Sequence, residues 1–208
     1  MKKLVIWGCG GHGRVIFDIA TAMARFDEIV FYADSADAPH TVAGAPVLTG
    51  GIAASAAPGA AFIVAIGDNR VRAARFGEAL QAGLRPTVCI HPSACVSPSA
   101  SLGAGTVLMA NAVVNSGVIV GLDCIINTGA IVEHDCVIGD HAHLSPGATL
   151  GGGVRVGNYA HLGIGSIAIP GAQIGRDTVV GAGAVVLGEV APGTTVVGVP
   201  ARPLTARK

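Results

Sequence analysis

The chain is predicted to fold in two parts, an α/β Rossmann-like domain over residues 1–86 and an all-β solenoid over residues 87–208. Three observations support this prediction. A six-residue repeat fills the second part, and a Gly-rich turn between a strand and a helix begins the first. Gly is unusually frequent, with 31 residues, but it is spread through the strict period, which argues against disorder.

An aliphatic residue recurs at every sixth position from Ile90 to Val186 without a break in phase, and each one is Leu, Ile or Val except Ala168. A small or β-branched residue stands two positions before each of them, and Gly commonly follows. Residues i−2 and i of a strand point to the same side, so each hexad sends one small and one aliphatic side chain inward. Three hexads close a triangular coil of about 18 residues, and the repeat predicts about six coils stacked about 4.8 Å apart.

The first part alternates strands with helices. Residues 4–8 are predicted to form a buried strand, and residues 14–24 show the apolar spacing of a helix. Strands over 28–32 and 61–66 and a helix over 70–81 complete the pattern. Three or so strands fit a small β/α unit and are too few for a complete dinucleotide-binding fold. A mononucleotide ligand is therefore expected.

The segment from Gly8 to Gly13 matches G-x-G-x-x-G at the predicted strand-to-helix turn. Such a turn lets backbone N–H groups and the helix N-terminus approach a phosphate. The same turn also occurs in α/β units that bind no nucleotide, so the motif alone leaves both interpretations open. Asp34, after the second strand, could bond a ribose hydroxyl or contact another part of a nucleotide sugar.

The composition argues against several classes of protein. Lys plus Arg and Asp plus Glu are each 13 and aromatic residues are 4%, so nothing directs the chain toward nucleic acid. No apolar run reaches the roughly 20 residues that span a bilayer, so no membrane insertion is expected and the cytoplasm is the expected compartment. Five cysteines without a C-x-x-C pattern argue against a disulfide framework or a zinc ribbon. Cys124 and Cys136 occupy the small inward slot and are expected to be core residues.

Several motifs occur together in this chain: Gly10-Gly11-His12-Gly13, Ile66-Gly67-Asp68-Asn69, Asn127-Thr128-Gly129 before Glu133-His134-Asp135, and Gly198-Val199-Pro200-Ala201. Together they resemble the nucleotide-sugar N-acetyltransferases of bacterial glycan synthesis, the bacillosamine and perosamine enzymes, and their sialic-acid O-acetyltransferase relatives. The resemblance covers essentially the whole chain. It implies a left-handed parallel β-helix, against the usual crossover preference. It also implies a homotrimer, acetyl-CoA as donor, a nucleotide-sugar substrate and no metal.

The resemblance implies roles for individual residues. The family's catalytic histidine matches His134, its acidic partner matches Asp135, and the backbone amide that contacts the acetyl carbonyl matches Gly152. The positions that contact the amino sugar or CoA match Asn127, His143, Ile164 and Ala182. The positions that hold the nucleotide sugar match Gly10, Gly11, His12, Gly13, Asp34 and Gly67. One departure is Ala33 before Asp34, where some relatives carry two acids.

The coil length predicts how these residues are arranged. His134 and Gly152 differ by 152 − 134 = 18 positions, so they fall in one column of the prism. The residues matched to amino-sugar and CoA contacts fall on another part of its perimeter: Asn127, His143, Ile164 and Ala182. One chain cannot easily bring both groups together, so each active site is expected between two subunits of a trimer. His161, one coil beyond His143, and His141 are expected to be surface or interface histidines.

The preferred function is transfer of acetyl from acetyl-CoA to the amine of a UDP- or GDP-linked amino sugar, with a histidine base. An O-acetyltransferase acting on a sialic-acid-type sugar is one alternative, and a non-catalytic trimer that binds a nucleotide sugar is another. A zinc carbonic anhydrase of the same solenoid class should have two ligands five residues apart in one chain. The histidines at 134, 141 and 143 do not have that spacing.

Overall fold

The computed structural model describes residues 2–55 and 59–204. By backbone packing the chain divides into two compact units, Met1–Pro92 and Ser93–Lys208. None of the helices within the described ranges is long and apolar enough to cross a membrane.

The first unit is an α/β fold. Its strands are β1 (Lys3–Trp7), β2 (Glu28–Tyr32), β3 (Thr41–Val42), β4 (Ala45–Leu48), β5 (Ala61–Val64) and β6 (Arg85–Pro86). Strand β7 (Cys89–Ile90) follows β6 in the chain and is not part of this unit's sheet. Its helices are α1 (Gly11–Ala22), α2 (Ile52–Ser55) and α3 (Asn69–Gln81). The sheet has the order β3-β4-β2-β1-β5-β6, with parallel neighbours except in the β3–β4 hairpin.

The order of this sheet determines where a ligand can bind. Strand β1 lies between β2 on one side and β5 on the other, which is a topological switch point. Ligands of α/β proteins bind beyond the carboxyl ends of the strands at such a point. The residues after β1, β2 and β5 are the Gly-rich turn, Asp34 and Gly67, so the switch point collects the motifs that the sequence singled out.

Parts of this unit differ from the sequence prediction. Helix α1 begins at Gly11, three residues before the predicted residue 14, because Gly10 is the N-cap and its carbonyl already accepts from the Arg14 N–H at 3.0 Å. The sheet has six strands where three or so were predicted. The unpredicted β3–β4 hairpin turns through Ala43 and Gly44, both with positive φ, and its strands are too short to show a period.

The second unit is a left-handed parallel β-helix with three faces, as predicted. Face A contains β8 (Cys95–Val96), β11 (Val113–Val114), β14 (Ile131–Val132), β17 (Thr149–Leu150), β20 (Ile167–Ala168) and β23 (Val185–Val186). Face B contains β9 (Ser101–Leu102), β12 (Ile119–Val120), β15 (Val137–Ile138), β18 (Arg155–Val156), β21 (Gln173–Ile174) and β24 (Glu189–Val190). Face C contains β10 (Val107–Leu108), β13 (Ile125–Ile126), β16 (His143–Leu144), β19 (His161–Leu162), β22 (Val179–Val180) and β25 (Thr195–Val197), and β26 (Arg202–Pro203) pairs antiparallel to β25.

The core of the β-helix consists of two stacks of inward side chains, one aliphatic and one small, as predicted. Strands pair with residues 18 positions on, as in Val107 with Ile125, so each aliphatic residue stacks on the next. From Leu108 to Val186 no aliphatic member of the series is more than 3% exposed, and the small residues two positions earlier are also buried. Val96 and Leu102 are half-buried because β8 and β9 are edge strands.

A residue with positive φ marks each corner of the prism from Gly105 to Gly183. The series recurs every sixth position from Gly105 to Gly183, with non-glycine members Asn111, Asp123, Asp135, His141, Tyr159 and Asp177. Asn and Asp tolerate this left-handed conformation better than other side chains. The corners are named by the faces they join in chain order: corner AB contains Asp135, corner BC contains His141, and corner CA contains Gly165.

The burial pattern predicts unequal effects for two isoleucines on face B. Ile138 is 1% exposed and Ile119 is 53% exposed. Ile138→Ala should destabilise the protein by about 2–5 kcal/mol because it leaves a cavity between coils, whereas Ile119→Ala should cost less than about 1 kcal/mol. The check is the midpoint of thermal unfolding at equal protein concentration. Equal shifts for the two variants would contradict the inward and outward assignment.

Candidate active site

His134 and Asp135 form a hydrogen-bonded pair at corner AB. Asp135 adopts the left-handed conformation, with φ of 60°. Its Oδ2 lies 2.9 Å from the His134 Nδ1. A carboxylate only accepts hydrogen bonds, so the proton of the neutral imidazole lies on Nδ1 and the lone pair lies on Nε2. The two side chains are 63% and 74% exposed in the single chain. Nε2 is therefore available as a base, as the family match to His134 and Asp135 implies.

Gly152 lies against the imidazole of His134, one coil further on. A Cβ at Gly152 would be 2.6 Å from both Nε2 and Cε1 of His134, so only glycine fits without moving the ring. The Gly153 N–H donates to the His134 carbonyl at 2.8 Å, which fixes the two coils in register. The Gly152 N–H has no acceptor among the described residues. A base and a free backbone donor thus adjoin at one corner, as acyl transfer requires.

Asn127 and His143 form a second polar group, on face C. The Thr128 N–H donates to the Asn127 Oδ1 at 2.8 Å, which orients the amide so that its Nδ2 faces the His143 Nε2 at 3.1 Å. Since the Asn127 Nδ2 only donates, the His143 Nε2 accepts, and the proton of the neutral imidazole lies on Nδ1. His161 stacks on His143 with ring centroids 4.7 Å apart, and its Nε2 is 2.9 Å from the Ser145 Oγ.

Ile164 and Ala182 are exposed at corner CA, in consecutive coils. The Gly183 N–H donates to the Ile164 carbonyl at 2.8 Å, so the two turns stack in one column. Face A separates this column from His134 and Gly152 at corner AB. Within one chain the structure therefore does not bring together all the residues that the resemblance matched to one site.

His141 has a different role from His134. At corner BC its Nδ1 is 2.8 Å from the Asp123 Oδ2, and its ring stacks on Tyr159 at 5.0 Å. The two side chains of this pair are 14% and 0% exposed, so the contact is part of the packing. No group of three or more His, Cys, Asp or Glu side chains that could hold a metal ion forms in the described part of the chain.

The Gly-rich turn of the first unit presents free backbone donors. Helix α1 has no side-chain cap, and the N–H groups of Gly11, His12 and Gly13 have no acceptor within the described residues. Space is open at Gly10, where nothing would lie within 4 Å of a Cβ. Gly13 is different, since a Cβ there would overlap the Gly8 carbonyl oxygen. Gly13 is thus needed for packing of helix on strand, while Gly10 and Gly11 leave room for an anion.

His12 is a half-buried residue at this turn. Its Nε2 is inaccessible to solvent and has no hydrogen-bond partner within the described residues. Burial, followed by the charge of Arg72, lowers the pKa of His12 to about 4. Arg72 is itself buried and donates to the Ile66 carbonyl at 3.2 Å and to the Asn69 Oδ1 at 3.0 Å. A neutral histidine thus lies at the switch point. Gly67 lies at the same end of the sheet, with its carbonyl oxygen 3.4 Å from the Arg72 Nη1.

Asp34 is held by an arginine that the sequence did not single out. The Nε of Arg75 is 3.2 Å from the Asp34 Oδ2, its Nη1 bonds Glu78, and its guanidinium lies 5.6 Å from the centroid of Trp7. Asp34 remains 47% exposed. No sequence motif indicated Arg75, because it lies on α3, far along the chain from the Gly-rich turn.

The fold and these sites define a left-handed β-helix acyltransferase with an N-terminal α/β domain. Residues 3–79 match the family model of the PglD N-terminal domain. The chain is 39% identical to the acetyltransferase domain of PglB from Neisseria gonorrhoeae, with 98% of this chain and 100% of that chain covered and a TM-score of 0.93. The chain belongs to the hexapeptide-repeat nucleotide-sugar N-acetyltransferases.

Two further solved structures are similar over the whole chain. A histidine-to-asparagine mutant of perosamine N-acetyltransferase from Caulobacter crescentus, in complex with CoA and GDP-perosamine, is 39% identical, with 99% and 98% of the two chains covered and a TM-score of 0.91. WeeI from Acinetobacter baumannii is 26% identical, with 98% and 100% covered and a TM-score of 0.90. No curated protein sequence matches the chain at a significant level.

The different surroundings of Gly11 and Gly13 predict different effects of the same substitution. Gly13→Val should lower the midpoint of thermal unfolding because the side chain collides with the Gly8 carbonyl. Gly11→Val should keep a midpoint near that of the wild type, since only an Arg14 guanidinium nitrogen lies as near as 4.0 Å to the added Cβ. Its branched side chain should nevertheless weaken binding of UDP or GDP by about tenfold or more in titration calorimetry. Equal loss of stability in both variants would show that Gly11 is also needed for the fold.

Proposed function

We propose that this protein transfers the acetyl group of acetyl-CoA to the amine of a nucleotide-linked amino sugar, with His134 as the general base. The observation that carries the proposal is the position of the His134 imidazole against the Gly152 backbone, with Asp135 on the opposite ring nitrogen. The relatives support it, because perosamine N-acetyltransferase was solved with CoA and GDP-perosamine and the PglB domain with acetyl coenzyme A. The proposed acceptor class is a UDP- or GDP-linked 4-amino-4,6-dideoxy sugar.

In the proposed mechanism, His134, Asp135 and Gly152 at corner AB each have one role. As the amine attacks the thioester carbonyl, the His134 Nε2 takes one amine proton, and Asp135 stabilises the imidazolium that forms. The Gly152 N–H donates to the oxygen that becomes negative in the tetrahedral intermediate. When the C–S bond breaks, the imidazolium returns its proton to the CoA thiolate. The products are the acetamido sugar and CoA, and His134 is neutral again.

The first unit supplies the proposed nucleotide site. The free N–H groups of Gly11, His12 and Gly13 suit the phosphates, and the open space at Gly10 lets them approach. His12, Gly67 and Asp34 border the same end of the sheet and are the proposed further contacts of the nucleotide sugar. Both substrates are cytosolic metabolites, so the cytoplasm stays the proposed compartment.

A homotrimer would complete each active site from two chains. Face A lies between corner CA and corner AB, so a threefold assembly with face A toward the axis brings corner AB of one subunit beside corner CA of the next. Exposed apolar side chains at face A support this surface as an interface: Ile167 (43% exposed), Ile169 (37%) and Leu187 (54%). In that assembly His134 and Gly152 of one chain meet Asn127, His143, Ile164 and Ala182 of its neighbour.

The proposal is tested by release of CoA with a panel of UDP- and GDP-linked 4-amino sugars, and the same panel distinguishes the two nucleotides. His134→Ala should lower kcat on the best acceptor by about 10²–10⁴-fold, the usual share of a general base. The fold should survive, because the side chain is mostly exposed.

His141→Ala is the matched control for His134→Ala. It removes a second histidine that is paired with an aspartate, and it should lower the midpoint of thermal unfolding because a packed contact with Asp123 and Tyr159 is lost. Its kcat should stay within about threefold of the wild type. Near-complete activity of His134→Ala at neutral pH would remove His134 from the mechanism.

Mixed trimers test whether two chains form one site. A chain with His134→Ala and a chain with Ala182→Trp, which obstructs corner CA, should each be inactive alone. After joint refolding, some interfaces pair an intact corner AB with an intact corner CA, so we expect up to about a quarter of wild-type activity for random mixing. Subunit exchange is verified by native mass spectrometry of chains with different tags. Proven mixing without recovered activity would assign the whole site to one chain.

A further inference from the structure

Cys136 follows the His134–Asp135 pair and points in the opposite direction. It occupies the small inward slot of its hexad and is fully buried, with no exposed side-chain area. Its Sγ lies 3.2 Å from the carbonyl oxygen of Gly151, in the next coil. Burial raises the pKa of the Cys136 thiol, so the sulfur keeps its proton and donates it to this carbonyl.

The Gly151 carbonyl belongs to the peptide unit whose N–H is that of Gly152. The backbone groups around this peptide are held in place. The Gly151 N–H donates to the Ala168 carbonyl at 2.9 Å, the Gly152 carbonyl accepts from the Gly171 N–H at 2.9 Å, and the Gly153 N–H donates to the His134 carbonyl at 2.8 Å. The Gly152 N–H alone in this set has no acceptor among the described residues.

A donor on the carbonyl affects the N–H of the same peptide in two ways. It fixes rotation of the peptide plane, so that the N–H keeps a constant direction relative to the His134 imidazole. It also polarises the amide, which makes the N–H a stronger donor, because chains of hydrogen bonds reinforce one another. Both effects matter most for an N–H that meets charge only in the transition state.

We propose that Cys136 is a positioning residue for acetyl transfer, whose thiol orients the Gly151–Gly152 peptide so that the Gly152 N–H is aimed at the developing oxyanion. The inference rests on the function proposed above, because it assumes that this N–H receives the oxyanion. It gives a role in the site to a residue that the repeat alone marks as core.

A simpler role has to be distinguished by experiment, because the same contact occurs away from the site. The Thr106 Oγ1 donates to the Gly121 carbonyl at 2.9 Å, and the Cys124 Sγ lies 3.1 Å from the Gly139 carbonyl. A donor in the inward slot thus satisfies a corner carbonyl at places away from the site as well. Cys124 is therefore a matched control: the same residue type and burial, and a similar contact 15 residues along the chain, but at corner BC.

The kinetic test compares Ala and Ser at both cysteines. Cys136→Ala should lower kcat by about three- to tenfold, the rate equivalent of one hydrogen bond, with the KM of both substrates little changed. Cys136→Ser keeps a donor and should recover most of kcat. The apparent pKa of the base in the pH profile of kcat/KM should stay at its wild-type value in both variants, because the His134–Asp135 pair is not disturbed. Cys124→Ala and Cys124→Ser should keep wild-type kcat even where their thermal midpoints fall.

A second measurement does not depend on turnover. In protein labelled with glycine carrying ¹³C at the carbonyl and ¹⁵N at the amide, correlations across the peptide bond arise only where two glycines adjoin, at 10–11, 50–51, 151–152 and 152–153. Cys136→Ala should shift the Gly151–Gly152 signal more than the signals at 10–11 and 50–51, whereas Cys124→Ala should leave it in place.

The outcomes separate the two proposals. An unmoved Gly151–Gly152 signal in Cys136→Ala, or equal kcat losses for the Ala variants of both cysteines, would overturn the positioning role while wild-type turnover still upheld the enzyme. A wild-type protein that acetylates none of the acceptors would overturn the enzymatic proposal and the oxyanion role with it. A shifted signal in that case would leave a purely structural thiol contact.

Discussion

The hydrogen-bonded register between coils is the constraint on which the β-helix and its site depend. Most strands in this unit have two residues, too short to be stable alone, and each is held by pairing with residues 18 positions on. Because the pairing is parallel and in register, residues at the same place in successive coils stack in columns. An inserted residue would turn inward-facing side chains outward in every later hexad. The six-residue period is therefore maintained through the core and at the corners alike.

Corners serve both stability and chemistry with the same geometry. Corner AB holds His134 on Asp135 at 2.9 Å, and corner BC holds His141 on Asp123 at 2.8 Å. Exposure differs between them: the first pair faces solvent, whereas the second is buried under Tyr159. The coil that follows also differs, since Gly152 leaves its backbone uncovered beside His134. In the proposed mechanism, a histidine–aspartate contact is reactive where the next coil of the same column supplies a free N–H and no side chain.

The α/β unit presents free backbone N–H groups at the start of α1. Its central strand ends at the switch point, and Gly13 lets α1 begin against the Gly8 carbonyl. Arg72 and Arg75 hold the rim from α3, the first through carbonyls and Asn69, the second through Asp34. The repeat unit thus contributes stacked columns of residues, and the α/β unit contributes free backbone donors at the end of its sheet.

The sequence by itself determined the β-helix. A strict period of six identifies both sets of inward-facing residues, and it allows only one position of the strands along the chain. It also determined that His134 and Gly152 share a column, because stacking follows from residue number once the coil length is known. The short hairpin at Thr41–Val42 and Ala45–Leu48 was not predictable, because strands of two to four residues carry no period. Only the tertiary structure decided the contacts between elements distant in sequence. Those contacts include Arg75 on Asp34 and the Cys136 thiol on the Gly151 carbonyl. They depend on the direction of each side chain in space, which a one-dimensional repeat does not record.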